Sequence, residues 1–157
     1  MIHIGRTKDV ELIKRIVTDR HTYPFVIDDF SPGASDYEPP MTEEFIWLVA
    51  YRENRVIGAF LFYPLNAINF DIHASIVPWA RGTKWSKFAG AAALQWMWHN
   101  TGCKRITAGC PAFNQRALGW VKSLGFKEFG INKDSFQKAG QLYDLIMLGI
   151  SRPGKEE

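Results

Sequence analysis

Three runs of β-forming residues follow one another with almost nothing between them, and no other feature restricts the possible folds of this chain as much. Residues 45–52 (FIWLVAYR) and 55–63 (RVIGAFLFY) are separated only by Glu53 and Asn54, so they read as a hairpin. A third run, 68–77, follows Pro64-Leu65-Asn66 and closes a meander. Consecutive hairpin-linked strands argue against a doubly wound parallel sheet, in which every strand is followed by a crossover.

The rest of the chain arranges itself around that meander. Residues 2–5 read as a short strand, and Thr7 is placed to cap a helix over 8–19, whose apolar positions Val10, Leu12, Ile13, Ile16 and Val17 recur at helical spacing. From Asp19 to Met41 the chain is irregular and carries four prolines, with room for one short helical turn. After the meander come a helix over 86–100, a strand at 104–110, and a helix that Asn114 caps and that ends at Leu124. Gly125 suits the left-handed position past its end, with Phe126 as the apolar contact. Residues 126–131 and 142–150 complete a last strand pair. The predicted fold is α/β (α+β), with a mixed, mostly antiparallel central sheet of six to seven strands flanked by helices. The 86–100 helix is apolar nearly all round, so it is expected to be buried against the sheet, with Gly90 and its alanines allowing close approach. At 157 residues the chain supports one domain, over 1–151, with a short polar tail at 152–157.

Composition excludes several classes of function. No apolar run approaches the roughly 20 residues that span a bilayer, and the N-terminus has no signal-peptide core. Cys103 and Cys110, in and just before one strand, are read as unbridged thiols of a reduced, cytoplasmic protein. Four scattered histidines give no metal-ligand spacing, and the basic residues form no nucleic-acid recognition motif. Charge is unevenly spread. No Lys or Arg occurs between Arg20 and Arg52, where Asp28, Asp29, Asp36, Glu38, Glu43 and Glu44 all fall. That acidic segment is either a solvated loop or a surface for a cationic partner.

The turn IVPWARGTKWS (76–86) leaves the third strand of the meander and enters the apolar helix. Its residues Arg81, Gly82, Thr83, Lys84, Trp85 and Ser86 bring backbone N–H groups and positive charge to one spot, which suits a phosphate. A basic helix N-terminus held by its caps is the plainer alternative. On the strand before it, alternation places Asp71, His73 and Ser75 on one face and Phe70, Ile72, Ala74 and Ile76 on the other. With an ordinary pKa of about 6.5, His73 is the best candidate for a general base, and Asp71 is placed to orient it or to replace it. Both also read as polar residues on a half-exposed face.

Two local patterns resemble the GCN5-related N-acetyltransferase (GNAT) superfamily. Val77-Pro78-x-x-Arg81-Gly82 is similar to the end of the family's fourth strand and its pyrophosphate turn. NQRALGWVKSLGF (114–126) is similar to the family's Asn-x-x-Ala-x-x-x-Tyr-x-x-x-Gly-Phe helix, matching at Asn114, Ala117, Gly125 and Phe126. The resemblance covers Met1 to about Ser151 and is closest to small stand-alone members of the kind found in mobile elements and phages. It implies acetyl-CoA as co-substrate, with no metal. The pantetheine arm would pair with backbone freed near Ile76 and Val77, where the fourth and fifth strands splay, and would meet Asn114. It also implies direct attack of a deprotonated primary amine on the thioester, with an acceptor pocket built by residues 20–44, here Asp28, Asp29 and Tyr37. The acceptor would be a small molecule or a protein amine. Lys84 and Ser86 stand where the family has small residues, and Val121 stands where it has a tyrosine proton donor. The chain therefore uses another donor, uses water, or is a GNAT-fold binding or assembly module with weak or absent catalysis. A tryptophan left exposed among Trp79, Trp85, Trp96 and Trp98 would mark an interface, such as that of a homodimer.

Overall fold

The computed structural model describes residues 1–154, so residues 155–157 of the expected tail lie outside the described residues. Seven strands form one sheet: β1 (Ile2–Arg6), β2 (Ile46–Arg52), β3 (Arg55–Pro64), β4 (Asn69–Ile76), β5 (Arg105–Pro111), β6 (Lys127–Lys138) and β7 (Gln141–Ser151). Their spatial order is β1-β2-β3-β4-β5-β7-β6, and only β4 and β5 run parallel. This is the mixed, mostly antiparallel architecture that the meander and the crossover require.

Helices α1 (Val10–Val17) and α2 (Tyr23–Val26) cover one face of the sheet, while α3 (Lys84–Asn100) and α4 (Gln115–Ser123) cover the other. On the α3 and α4 side the core is centred on Phe60, Phe62, Met97, Ile106 and Leu148, all fully buried. The α1 side packs Ile13 and Ile16 on Trp47, Val49 and Leu61. Each such side chain contributes on the order of 1.5–3 kcal/mol by leaving water.

Four expectations are corrected. The cap of α1 is Asp9, whose carboxylate accepts from the Leu12 N–H at 3.1 Å; Thr7 Oγ1 instead accepts from the Asp9 N–H. A carboxylate in that position also meets the positive end of the helix. Helix α3 begins at Lys84 and buries one face only, leaving Lys87, Phe88, Ala91, Gln95 and His99 exposed. The sheet can cover only one side of it, and alanine is tolerated on the other. Gly90 permits close approach to α4 rather than to the sheet: a Cβ there would lie 2.8 Å from the Trp120 ring and 2.9 Å from Leu124. Strand β6 extends to Lys138, where it still pairs with Gln141; an edge strand exposed over most of its length shows no alternation to mark its end.

Two features of the sheet set the geometry around β4. The strand pairs with β5 only from Asn69↔Arg105 to Asp71↔Thr107, then leaves it, while its pairing with β3 continues to Gly58↔Ile76. A wedge therefore opens above Asp71. At the top of the wedge β3 and β4 touch closely, since a Cβ on Gly58 would lie 2.6 Å from the Ser75 carbonyl oxygen. Elsewhere, Gly125 takes the expected left-handed conformation (φ 101°) after α4. Both cysteines are free and buried, and none of Trp79, Trp85, Trp96 and Trp98 is left exposed. No helix among the described residues is long and apolar enough to cross a membrane.

Candidate active site

Register brings four side chains together at the foot of the wedge. Tyr63 of β3 stands opposite Asp71 of β4, and Thr107 of β5 stands on the other side of Asp71. Tyr63 donates its hydroxyl proton to Asp71 Oδ2 (2.6 Å), and Thr107 donates to Oδ1 (2.7 Å). Two residues up the strand, the His73 ring stacks on Tyr63 with centroids 5.3 Å apart. Its Nε2 lies 3.3 Å from the Tyr63 oxygen and 3.8 Å from Asp71 Oδ2.

The order of protons follows from these contacts. The one Tyr63 proton is committed to the carboxylate, so the Tyr63 oxygen can only accept from His73 Nε2–H. The lone pair of the neutral ring then sits on Nδ1. Desolvation between the strands pushes the imidazole below its ordinary value, and the Asp71 charge opposes that shift. The outer edge of the side chain stays open, 64% exposed, while Asp71 is 16% exposed. Burial and the hydrogen bond to Asp71 push the Tyr63 phenol far up, so it remains protonated. Burial also pushes the Cys110 thiol up to about 11, reinforced by the Asp71 charge, which leaves it a poor nucleophile at neutral pH.

At the top of the wedge the turn after β4 contains one helical turn of 3-10 type, Pro78–Ala80, and then Gly82 in the left-handed region (φ 69°). Thr83 caps α3 by accepting from the Trp85 N–H at 3.2 Å. The Lys84 and Ser86 amides in the same first helical turn have no protein acceptor among the described residues. The Ser86 hydroxyl is buried and donates to the Thr83 carbonyl, so the serine closes the cap. The Lys84 ammonium lies 5.0 Å above the Trp85 ring, and Arg52 stacks on that ring at 3.8 Å.

Arg81 is turned inward. Its Nε donates to the Ile76 carbonyl (3.1 Å), and its other end donates to the Thr22 hydroxyl, joining the β4 terminus to the start of α2. The Val77 N–H is likewise taken, by the Ile57 carbonyl at 2.9 Å. The main chain that alternation directs into the wedge is that of Ile72, Ala74 and Ile76, and of Ile76 only the carbonyl is taken. Removing the guanidinium with Arg81→Ala is expected to cost about 1.5–3 kcal/mol in denaturant unfolding, the usual range for hydrogen bonds to a charged group.

Other expected positions have structural partners. Asn114 caps α4, accepting from the Ala117 N–H at 3.1 Å. Asp28 closes its own loop by accepting from the Phe30 N–H and the Ser31 hydroxyl. Asp29 accepts from the Ala139 N–H (2.7 Å) and the Gly140 N–H (2.9 Å), clamping the 19–41 excursion to the β6–β7 hairpin. Lys138 completes the clamp by donating to the Pro24 and Ile27 carbonyls. Tyr37 packs edge-on against Tyr23 at 5.9 Å, and burial pushes its phenol up to about 12. Thr107 was missed by sequence reasoning, since only the parallel β4–β5 register brings it to Asp71.

Residues 6–127 match the Acetyltransferase (GNAT) domain family. No curated protein sequence matches the chain. Among solved structures, the chain is similar to spermidine N-acetyltransferase from Vibrio cholerae in complex with CoA and spermine, at 14% identity. That alignment covers 96% of this chain and 95% of the other, with a TM-score of 0.79. It is also similar to ribosomal-protein-alanine N-acetyltransferase from Brucella melitensis at 20% identity, over 97% and 99% of the two chains, with a TM-score of 0.74. The ribosomal-protein-S5-alanine acetyltransferase from Vibrio fischeri matches at 13% identity, over 99% and 94%, with a TM-score of 0.76. At these identities the likeness is one of fold.

Proposed function

The chain belongs to the acetyltransferase (GNAT) domain family, and from that premise we propose that it transfers an acetyl group from acetyl-CoA to a primary amine by direct attack. The observation that carries this reading is the open wedge between β4 and β5, with a hydrogen-bonded base at its foot and free helix amides at its top.

The residues fit the co-substrate. Backbone of Ile72 and Ala74 would pair with the pantetheine amides as an added strand. The Gly82, Lys84 and Ser86 amides at the positive end of α3 would hold the pyrophosphate. A Cβ on Gly82 would meet nothing within 4 Å, so the approach to that turn is clear. When bound, acetyl-CoA supplies the thioester that is the acyl donor.

This chain's own part is proton handling. An acceptor amine arrives as an ammonium ion and must lose one proton before its lone pair can attack. His73 Nδ1 takes that proton, and the imidazolium it becomes is stabilised by Asp71 through Tyr63. Val121 is buried in the core at the position of the family's tyrosine, so the departing sulfur takes its proton from water. With both thiols buried, no acyl-cysteine forms.

Thermal unfolding with and without acetyl-CoA tests the reading first. Co-substrate at ~100 times its dissociation constant should stabilise the protein by about 2.7 kcal/mol, seen as a higher Tm. Release of free CoA thiol on adding an amine then tests transfer. No shift at millimolar acetyl-CoA would remove the transferase reading and leave a GNAT-fold module without this activity.

A further inference from the structure

The acceptor side of the sheet is apolar where the acidic segment led one to expect an anionic pocket for a cationic amine. Thr107 and Asp71 share one face, and residues opposite each other in an antiparallel pair share a face too. Through the pairs Gly109↔Met147 and Pro111↔Leu145, that face continues up β5 and β7 as Gly109, Met147, Pro111 and Leu145. Gly109 is exposed. A Cβ on it would lie 3.6 Å from Met147 Sδ and 3.9 Å from Leu145 Cδ1, so the two side chains border the bare backbone at Gly109.

Tyr143 follows on the same face, packed edge-on against Phe113 with centroids 4.6 Å apart. Just beyond it the Asp29 clamp joins the 19–41 excursion to the hairpin and closes that end. Four residue steps along β7, from Met147 to Tyr143, make the floor roughly 13 Å long. One flank carries His73, so a reacting amine would sit at one end of an apolar trough.

Carboxylates are scarce in it. Asp71 already accepts two hydroxyl protons. Asp144 lies on the opposite face by alternation and accepts from the Asp134 N–H. In the acidic segment, Asp28 is engaged within its own loop and Asp29 by the hairpin amides, while Glu38 pairs with Lys14 at 3.1 Å and Glu43 with Lys8 at 2.9 Å. Asp36 and Glu44 are exposed and have no side-chain partner among the described residues, but the floor residues Gly109, Pro111, Leu145 and Met147 carry no carboxylate, and a polycation needs several at matching spacing.

We propose that the acceptor is a compact monoamine with an apolar or aromatic body lying on Gly109, Met147 and Leu145, and not a polyamine or aminoglycoside. This rests on the acetyltransferase reading, in which His73 receives the ammonium proton. The amine end meets His73, and the body displaces water from the β5–β7 floor.

The test compares 2-phenylethylamine with spermidine and kanamycin, using the full chain and acetyl-CoA and following thiol release. The expected result is a kcat/KM for 2-phenylethylamine at least tenfold above either polycation. Gly109→Leu, which fills the floor with only ordinary contacts at its Cβ, should raise KM for 2-phenylethylamine at least tenfold. Tyr143→Ala should raise the same KM severalfold. A preference for spermidine, or an unchanged KM in both variants, overturns the assignment while acetyl transfer itself stands. If no amine is turned over, binding of 2-phenylethylamine by NMR titration decides. Binding lost in Gly109→Leu upholds the trough although transfer falls, and no binding to the wild type overturns it.

Discussion

Replacing His73 with alanine is expected to lower kcat/KM for acetyl transfer by roughly 10²–10⁴-fold, the range a positioned acid or base contributes. The thermal stabilisation by acetyl-CoA should remain, because the ring lies at the foot of the wedge and not on the phosphate turn. The dependence on pH gives an independent check. Desolvation favours the neutral ring, so His73 loses its proton below its ordinary value of about 6.5. In wild type, kcat/KM should be flat near neutrality and fall only as acid protonates Nδ1. Asp71→Asn should move that limb further towards acid, since it removes the one charge that favours the imidazolium. Tyr63→Phe should lower the rate without abolishing it, because the ring still stacks on His73 but the relay to Asp71 is gone. An alanine variant with an unchanged rate would take His73 out of the mechanism.

Gly58→Val is expected to destabilise the sheet where β3 meets the end of β4. A Cβ at this position meets the Ser75 carbonyl oxygen at 2.6 Å and Ile76 Cδ1 at 3.0 Å, and the first of these is backbone that cannot swing aside. Forcing side-chain volume into such a contact costs on the order of 1–3 kcal/mol. The strain falls on the end of β4, where Arg81 grips the Ile76 carbonyl and Val77 donates to Ile57. Denaturant unfolding should show the loss, and titration with acetyl-CoA should show weaker binding in the fraction that folds. Val at Gly5 is the control: a Cβ there meets nothing within 4 Å. Equal stability in the two variants would mean that β4 relaxes freely and that the top of the wedge is not built by this contact.

The family-wide plan and the chemistry of this chain separate clearly at Arg81. The Arg-Gly pair reads as a phosphate turn, and Gly82 with the free amides of α3 keeps that sense. The guanidinium itself is spent on Ile76 and Thr22, holding strand and loop together. On the proposed reading, anion recognition rests on backbone dipoles, which Lys84 and Ser86 supply as smaller residues would.

What the sequence determined by itself is whatever depends on near neighbours. The meander, the Asn114 cap, the left-handed Gly125 and the strand-to-helix turn all follow from propensity and spacing over a few residues. So does the face shared by Asp71 and His73. Register decided the rest. Only the packed sheet shows that Tyr63 and Thr107 both serve Asp71, that Asp29 reaches the amides of Ala139 and Gly140, and that Gly109, Met147 and Leu145 share the face of Asp71. Most of those partners lie tens of residues apart, and a carboxylate's role is set by whichever donors the fold brings to it. Composition counts the charges, but only tertiary structure shows which of them are already paired.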